Sequence, residues 1–382
     1  MQNPLSTRLL AIDALRGLVI IIMLLDHVRE TFYLHYQVPD PMQIESTDPA
    51  LFFSRSLAHL CAPVFVLLTG ISAYLYQSKV QSLKMTREFL IKRGLFLIFL
   101  ELVIINFAWT GQFPPEIVYL QVIWAIGISM LALAALIHLP ILWIWIISVL
   151  IIAFHNVFDQ LYPNSAFLQA LWNILHQRGW IEFSEHFKVR TSYPVLPWIG
   201  VIGFGYALGK TVFSRPDNFA VKMQFLYRVG LGCIGLFLIL RMLNLYGDQP
   251  REVFSNFSLT LMSFFNLTKY PPSLDFILWN CGLGLILLYA LQRVENRSWI
   301  KPLVIFGSVP MFFYIVHLFV LKLLYVFAVF IFGINHGSYF GVDHVSTLWW
   351  ISLILCLALY PLMLSFSRFK HQNKHIAILK YL

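Results

Sequence analysis

Charge is scarce in this chain: Asp, Glu, Lys and Arg make up 12% of its 382 residues, against about a quarter in a soluble domain. Cysteine is scarcer still. The four present, Cys61, Cys233, Cys281 and Cys356, lie within apolar runs, which excludes a disulfide framework and reads as buried free thiols. No HExxH motif and no paired Cys/His spacing occurs and the histidines are scattered, so no metal is expected. A Walker-type phosphate loop is missing, and with it any support for ATP hydrolysis. No internal repeat or low-complexity segment divides the chain, which reads as a single integral membrane domain over 1–382. The first apolar stretch ends in DHVRE rather than at a small-residue cleavage site, so it is expected to stay as a span.

What fills the chain instead is hydrocarbon. Apolar residues make up 59% and aromatics 16%, the composition of a polytopic membrane protein whose Trp and Tyr favour the two interfaces. A span needs about 20 apolar residues. About ten candidates follow, at 9–32, 51–77, 88–109, 116–137, 139–158, 193–213, 225–246, 274–292, 309–332 and 346–367. The expected fold is therefore an all-α transmembrane helix bundle. The net charge of +9 is no nucleic-acid signal, because most Lys and Arg sit in short segments between spans. Lys79, Lys84, Arg87, Lys92 and Arg93 form one such segment; Lys210, Arg215, Lys222 and Arg228 form another. By the positive-inside rule these segments and both termini are cytoplasmic. The longer loops, 33–50, 159–192 and 247–273, then fall outside. Residues 302–333 would make a helix of about 48 Å against a hydrocarbon core of about 30 Å. Gly307 and Pro310 offer the break, giving a short piece at 300–308 and a span at 309–332. Gly205 and Gly209 form a GxxxG pair suited to close helix contact.

Several ionisable side chains lie where lipid tolerates them least. Asp13 and Arg16 are i,i+3 neighbours near the inner end of the first span and read as an internal ion pair. Asp26, His27 and Arg29 lie near its outer end, Asp26 about 25 Å in from an entry near Leu9. The second span runs back and carries Arg55 and His59, which share a helix face at similar depth. The residue types suit acyl transfer. A neutral imidazole, His27 or His59, takes the acceptor's proton, and a carboxylate, Asp26, orients it and stabilises the imidazolium. Arg29 or Arg55 neutralises the carboxylate or an oxyanion. The same cluster would also serve a permease or exporter as a proton or substrate relay. Further candidates are Glu101 deep in the third span, His317 mid-span on an aromatic stretch, and Lys269 before a double proline at the outer mouth. Lys84, Arg87, Lys92 and Arg93 read either as an anchor beside anionic lipid or as a patch for the phosphates of a nucleotide-containing acyl donor.

Five segments occur in order: RLLAIDALRGLVIIIMLLDH, HLCAPVFVLLTG, YPVLPWIGVIGFGYALG, TKYPPSL and FGSVPMFFYIVHLF. Together they resemble bacterial membrane proteins related to the catalytic domain of heparan-α-glucosaminide N-acetyltransferase, within a broader superfamily of transmembrane acyltransferases. The resemblance implies an enzyme of the bacterial inner membrane. It would draw acetyl or another acyl group from acetyl-CoA or another acyl-CoA on the cytoplasmic side. The acceptor would be a glycan or lipid-linked sugar on the other side, with no nucleic-acid partner. It also places Asp26 where the eukaryotic enzyme has a functional asparagine, and His35 a couple of residues from the place of a functional loop histidine.

Overall fold

The computed structural model describes residues 9–214 and 218–381; Arg215, placed above in an inner segment, lies outside the described residues. About 70% of the chain is helix and 5% strand. In chain order the helices are α1 (Leu10–Phe32), α2 (Pro49–Ala58), α3 (Cys61–Val80), α4 (Leu83–Phe99), a π-helical turn (Leu100–Ile105), α5 (Asn106–Thr110), α6 (Val122–Leu136), α7 (Ile141–Phe154), α8 (Ala166–Leu175), α9 (Leu196–Phe213), α10 (Phe219–Leu243), α11 (Phe257–Phe264), α12 (Leu274–Arg293), α13 (Lys301–Ser308), α14 (Pro310–Phe332) and α15 (Val345–Gln372). The strands are β1 (Ile117–Leu120), β2 (Gly179–Ser184) and β3 (Phe187–Thr191).

Local chemistry sets many of these boundaries. Asp48 caps α2 by accepting from the Ala50 and Leu51 amides, with Pro49 at the first helical position. Ser82, Ser165 and Asn218 cap α4, α8 and α10 in the same way. The helix expected over 51–77 breaks at His59–Leu60 into α2 and α3. Pro63 explains the break: it has no amide hydrogen to give to residue 59. The long apolar run near the C-terminus breaks at Val309, between α13 and α14, as Gly307 and Pro310 led us to expect.

Among the described residues, seven helical segments are long and apolar enough to cross a membrane: 49–80, 141–158, 196–213, 219–243, 274–293, 310–332 and 345–372. α1 has 23 residues, about 34 Å of helix, but is too charged to count among them. The span expected at 116–137 is the one that differs most. Its first residues form β1, and α6 has only 15 residues, about 22 Å. The all-α expectation is corrected here by a three-stranded sheet in the order β1-β3-β2. β1 and β3 are parallel, with Ile117 opposite Lys188; β2 and β3 are antiparallel, with Gly179 opposite Thr191. The run GLGCIG at Gly230–Gly235 lies inside α10 rather than at a strand-to-helix turn, so it is no dinucleotide-binding loop.

The described chain divides into two compact units. One holds residues 10–61, 251–266 and 290–382. In it α1 packs against α13, α14, α15 and α2. The crossing of α1 and α13 depends on two glycines: a Cβ on Gly17 would collide with the Leu303 carbonyl, and one on Gly307 with the Asp13 carbonyl. Ser308 and Ser367 pair through their hydroxyls at 2.8 Å, and the Lys370 ammonium donates to the Ser308 carbonyl at 3.0 Å, tying α13 to α15. Met42, Phe52 and Met262 form a small buried cluster that fastens the 33–48 loop to α2 and α11.

The other unit holds 62–250 and 267–289. Here α4 packs on α6, and α7 and α6 pack on α9. Gly70 and Gly205 let α3 and α9 touch through backbone, Gly205 meeting the Leu67 carbonyl and Gly209 the Ile71 backbone. The GxxxG pair thus works as a contact face.

Gly17→Ala and Gly307→Ala are each expected to destabilise the protein by about 1–3 kcal/mol, because the clashing atom is backbone and only a helix shift relieves it. Gly232, which has open space around its Cα, is the control: Gly232→Ala should be neutral or stabilising by up to about 1 kcal/mol. Unfolding midpoints in detergent would show the contrast.

Candidate functional site

The C-terminal half of α1 carries three buried ionisable groups close together in sequence. Asp26, His27 and Arg29 are all buried. Consecutive helix positions are about 100° apart, so Asp26 and His27 leave α1 in different directions. Asp26 faces Arg29 one turn on: its Oδ1 accepts from Arg29 Nε at 3.0 Å and lies 2.9 Å from Nη2. Arg29 also reaches Glu30 at 3.1 Å. A charge-assisted pair of this kind neutralises both groups within the same helix.

His27 turns instead toward α14. Its Nδ1 lies 2.6 Å from Nε2 of His317, and the two rings are parallel to within 7°. His317 Nδ1 lies 2.8 Å from the Phe313 carbonyl oxygen. That second contact assigns the protons. A carbonyl only accepts, so His317 Nδ1 carries its hydrogen and His317 Nε2 is the acceptor. His27 Nδ1 must then donate, which leaves Nε2 as the basic nitrogen of His27. Tyr314 sets its edge against both imidazoles, at 5.7 and 5.5 Å, and Phe313 stacks on His317 at 5.0 Å. The result is a hydrogen-bonded chain of two imidazoles in an aromatic box.

The second cluster from the sequence takes a different form. Arg55 donates to the Val38 carbonyl at 2.8 Å and lies 3.5 Å from Asp40, so its charge is used to hold the loop that follows α1. His59 is buried at the C-cap of α2, its amide bonded to the Arg55 carbonyl at 3.2 Å. Asp13 and Arg16 form the expected ion pair, at 3.5 Å. His35 lies beyond the end of α1 and stacks on His336 at 3.8 Å, and His336 Nε2 lies 3.0 Å from Asp343.

The remaining candidates belong to the other unit. Glu101 sits in the π-helical turn, fully buried, and its Oε2 accepts from the Ile123 and Trp124 amides at 3.0 and 3.1 Å. It caps the start of α6, a position where the helix dipole favours a carboxylate. Asn106, at the end of the same turn, bonds the Tyr119 amide and carbonyl of β1. Lys269 is buried beside Tyr270, 5.2 Å from its ring centre, and the Arg178 guanidinium covers the same ring at 4.8 Å. Of the basic run, Lys84 is exposed, Lys92 reaches Glu88 at 3.8 Å, and Arg93 lies over the Phe89 ring. Arg87 lines a cleft of about 510 Å³ with Ile91, Leu131, Ala134, Ala135 and His138.

Two features went unread in the sequence. His317 was a candidate, but its pairing with His27 was not legible because the two lie 290 positions apart. His155, Asp159 and His176 bring possible ligand atoms within 4.8 Å of one another, although no short motif spaces them.

Two outcomes follow. Glu101→Ala removes the acceptor for two helix-start amides and should cost about 1–2 kcal/mol, whereas Glu101→Gln keeps an acceptor oxygen and should cost less; chemical unfolding compares them. His35 has its pKa lowered, first by burial and then by the facing His336, with Asp343 acting in the opposite sense. A lowered imidazole pKa contributes stability that is present above about pH 6.5 and lost as pH falls through the depressed value. Amide protection factors in 33–37 and 335–341, corrected for the intrinsic pH dependence of exchange, should therefore fall on acidification from about pH 7 to about pH 5, and the response should flatten in His35→Asn.

No curated protein matches the chain. A family model does: the one described as heparan-alpha-glucosaminide N-acetyltransferase, catalytic, over residues 8–236, a stretch that includes Asp26, His27, Arg55 and His59. With well over half its length matched, the chain belongs to the heparan-alpha-glucosaminide N-acetyltransferase catalytic family, a family of acetyltransferase type, here built on apolar membrane-length helices.

Proposed function

We propose that this protein is a membrane-embedded acyltransferase that moves an acetyl or other acyl group from cytoplasmic acyl-CoA to a sugar-type acceptor beyond the membrane. The observation that carries the reading is the His27–His317 pair, a proton acceptor with a defined tautomer inside hydrocarbon. In the reaction, His27 Nε2 takes the proton of an acceptor hydroxyl or amine as the oxygen or nitrogen attacks the thioester carbonyl. The positive charge on His27 is shared through Nδ1–H with His317. The thiolate of CoA leaves and recovers the proton. His59 is the second base candidate, and the Asp26–Arg29 pair supplies fixed charge next to the reacting imidazole. The phosphates of the donor fall to Lys84, Arg87, Lys92 and Arg93.

The same reading includes ten crossings, both termini in the cytoplasm, and residence in a bacterial inner membrane. Its topology adds α1, the 83–110 helical run and α6 to the seven long apolar segments. The basic residues at the end of α3 and in α4, Lys79, Lys84, Arg87, Lys92 and Arg93, and those after α12 support it through the positive-inside bias.

With fold intact, His27→Ala should lower acyl-CoA turnover by about 10²–10⁴-fold. His317→Ala should lower kcat less and leave the donor KM unchanged, because it acts through His27. Arg87→Ala should instead raise the donor KM. CoA should raise the melting temperature where other nucleotides do not. Full activity in all of His27→Ala, His59→Ala and Asp26→Asn would move the chemistry elsewhere. Proton-coupled substrate flux without acyl transfer would favour the relay of a permease.

A further inference from the structure

The first turn after α7 is a 3₁₀ turn, His155–Phe158, which ends at Asp159; α8 ends at its C-cap, His176. Asn156 staples this turn. Its Oδ1 accepts from the Leu274 amide at 2.9 Å and its Nδ2 donates to Asp159 Oδ2 at 3.0 Å. The arrangement brings two imidazoles and a carboxylate together. His176 Nε2 lies 2.9 Å from Asp159 Oδ1, and the rings of His155 and His176 face each other at 5.5 Å, 70° apart. One ligand atom from each residue falls within 4.8 Å of the others.

A carboxylate–imidazole bond accounts for only one of the four ring nitrogens. Both nitrogens of His155 and Nδ1 of His176 are buried without a hydrogen-bond partner among the described residues. His155 is 2% exposed and His176 0%. Three orphaned nitrogens around a single carboxylate make a poor packing device, since each buried polar atom left unpaired costs free energy. The two imidazoles, each able to offer one nitrogen, make with the Asp159 carboxylate a good ligand set. The side chain of Asp159 is 41% exposed and gives the pocket a way in from water.

We infer that His155, Asp159 and His176 form a binding site for one divalent transition-metal cation, with zinc the best fit. Two imidazole nitrogens and one carboxylate oxygen suit a borderline cation such as zinc; calcium and magnesium take oxygen ligands. Zinc bonds of about 2.0–2.2 Å would draw the three atoms to about 3.3 Å from one another and leave a fourth position for water. Asn156, bonded to the other oxygen of Asp159, would orient the carboxylate as an outer-shell partner. The ion would clamp the end of α7 to the end of α8 and so fix the hairpin of β2 and β3 that α8 packs against. This departs from the expectation of no metal. The spacing His155–Asp159–His176 matches no short metal motif, and only the turn and α8 bring the ends together.

The test uses the full chain in detergent, purified on a tag without histidine, stripped with chelator and then given Zn2+ alone. About one zinc per chain should survive desalting, and the melting temperature should rise with Zn2+ and fall again with chelator. His155→Gln and His176→Gln should each cut bound zinc by about tenfold or more, since each removes one of the three ligands. A wild-type chain that holds no stoichiometric zinc and gains no stability overturns the inference, as does a His155→Gln/His176→Gln double variant that binds like the wild type. Should the variants fail to fold, wild-type protein loaded with Co2+ decides. A tetrahedral visible absorption band displaced by Zn2+ supports the site, and its absence overturns it.

Discussion

The hydrogen bond between His27 and His317 joins two helices far apart in sequence, and both rings are buried where it forms. In hydrocarbon every polar group must be satisfied from within the protein. The bond therefore constrains how α1 and α14 are rotated about their own axes. It also selects one tautomer for each ring, because the Phe313 carbonyl can only accept. The glycine crossing at Gly17 and Gly307 works with it. α13 touches the N-terminal half of α1 backbone to backbone, the chain breaks at Val309, and α14 then departs in the direction that carries His317 to the C-terminal half of α1. A bulkier residue at either glycine would move the start of α14 and with it the imidazole.

The buried ionisable groups separate by how fully their capacity is used. Arg55 is spent on the Val38 carbonyl and Asp40, both in the loop it holds. Glu101 accepts two amides at the start of α6 through Oε2 and reads as a helix cap, with its Oε1 buried without a hydrogen-bond partner among the described residues. Asp13 and Arg16 compensate each other along one helix. These are structural solutions to the desolvation cost that a charge incurs in a low-dielectric core. The imidazole pair differs. Its internal bonds define a donor chain that ends on a basic nitrogen, and a base defined in this way suits proton transfer better than it suits packing alone.

Much of the helical framework was legible from the sequence because a span announces itself through length and apolarity, and both are local properties. The break between α13 and α14 was legible for the same reason: Gly307 and Pro310 interrupt a run too long for the bilayer. Other features were set by contacts that no window of sequence contains. Residues 117–120 are apolar enough to extend a span, yet they form β1 because β3, some seventy residues on, offers its edge in parallel register. The split at His59–Leu60 had a local sign in Pro63, masked by the strongly apolar sequence around it. Asp26 and Arg29 could be paired by counting along one helix turn. His27 and His317 could not, since only the packing of α14 on α1 brings them together.

The family match ends at residue 236, while α14 and its His317 come after it. In the proposed reaction the base thus stands in the matched stretch and its supporting imidazole outside it. A base in the aromatic box of Phe313 and Tyr314 needs a partner for its second nitrogen, because an unpaired N–H there would be costly. Phe313 provides the fixed end of the chain through its carbonyl and His317 carries it to His27. Carboxylates usually fill this place in catalytic imidazole pairs, and they attract the proton strongly. A neutral imidazole attracts it less and adds no net charge to the hydrocarbon. With the negative charge of Asp26 already matched by Arg29, the two rings add no ion to this part of α1, which makes a histidine at 317 a less costly support for His27 in lipid than an aspartate would be.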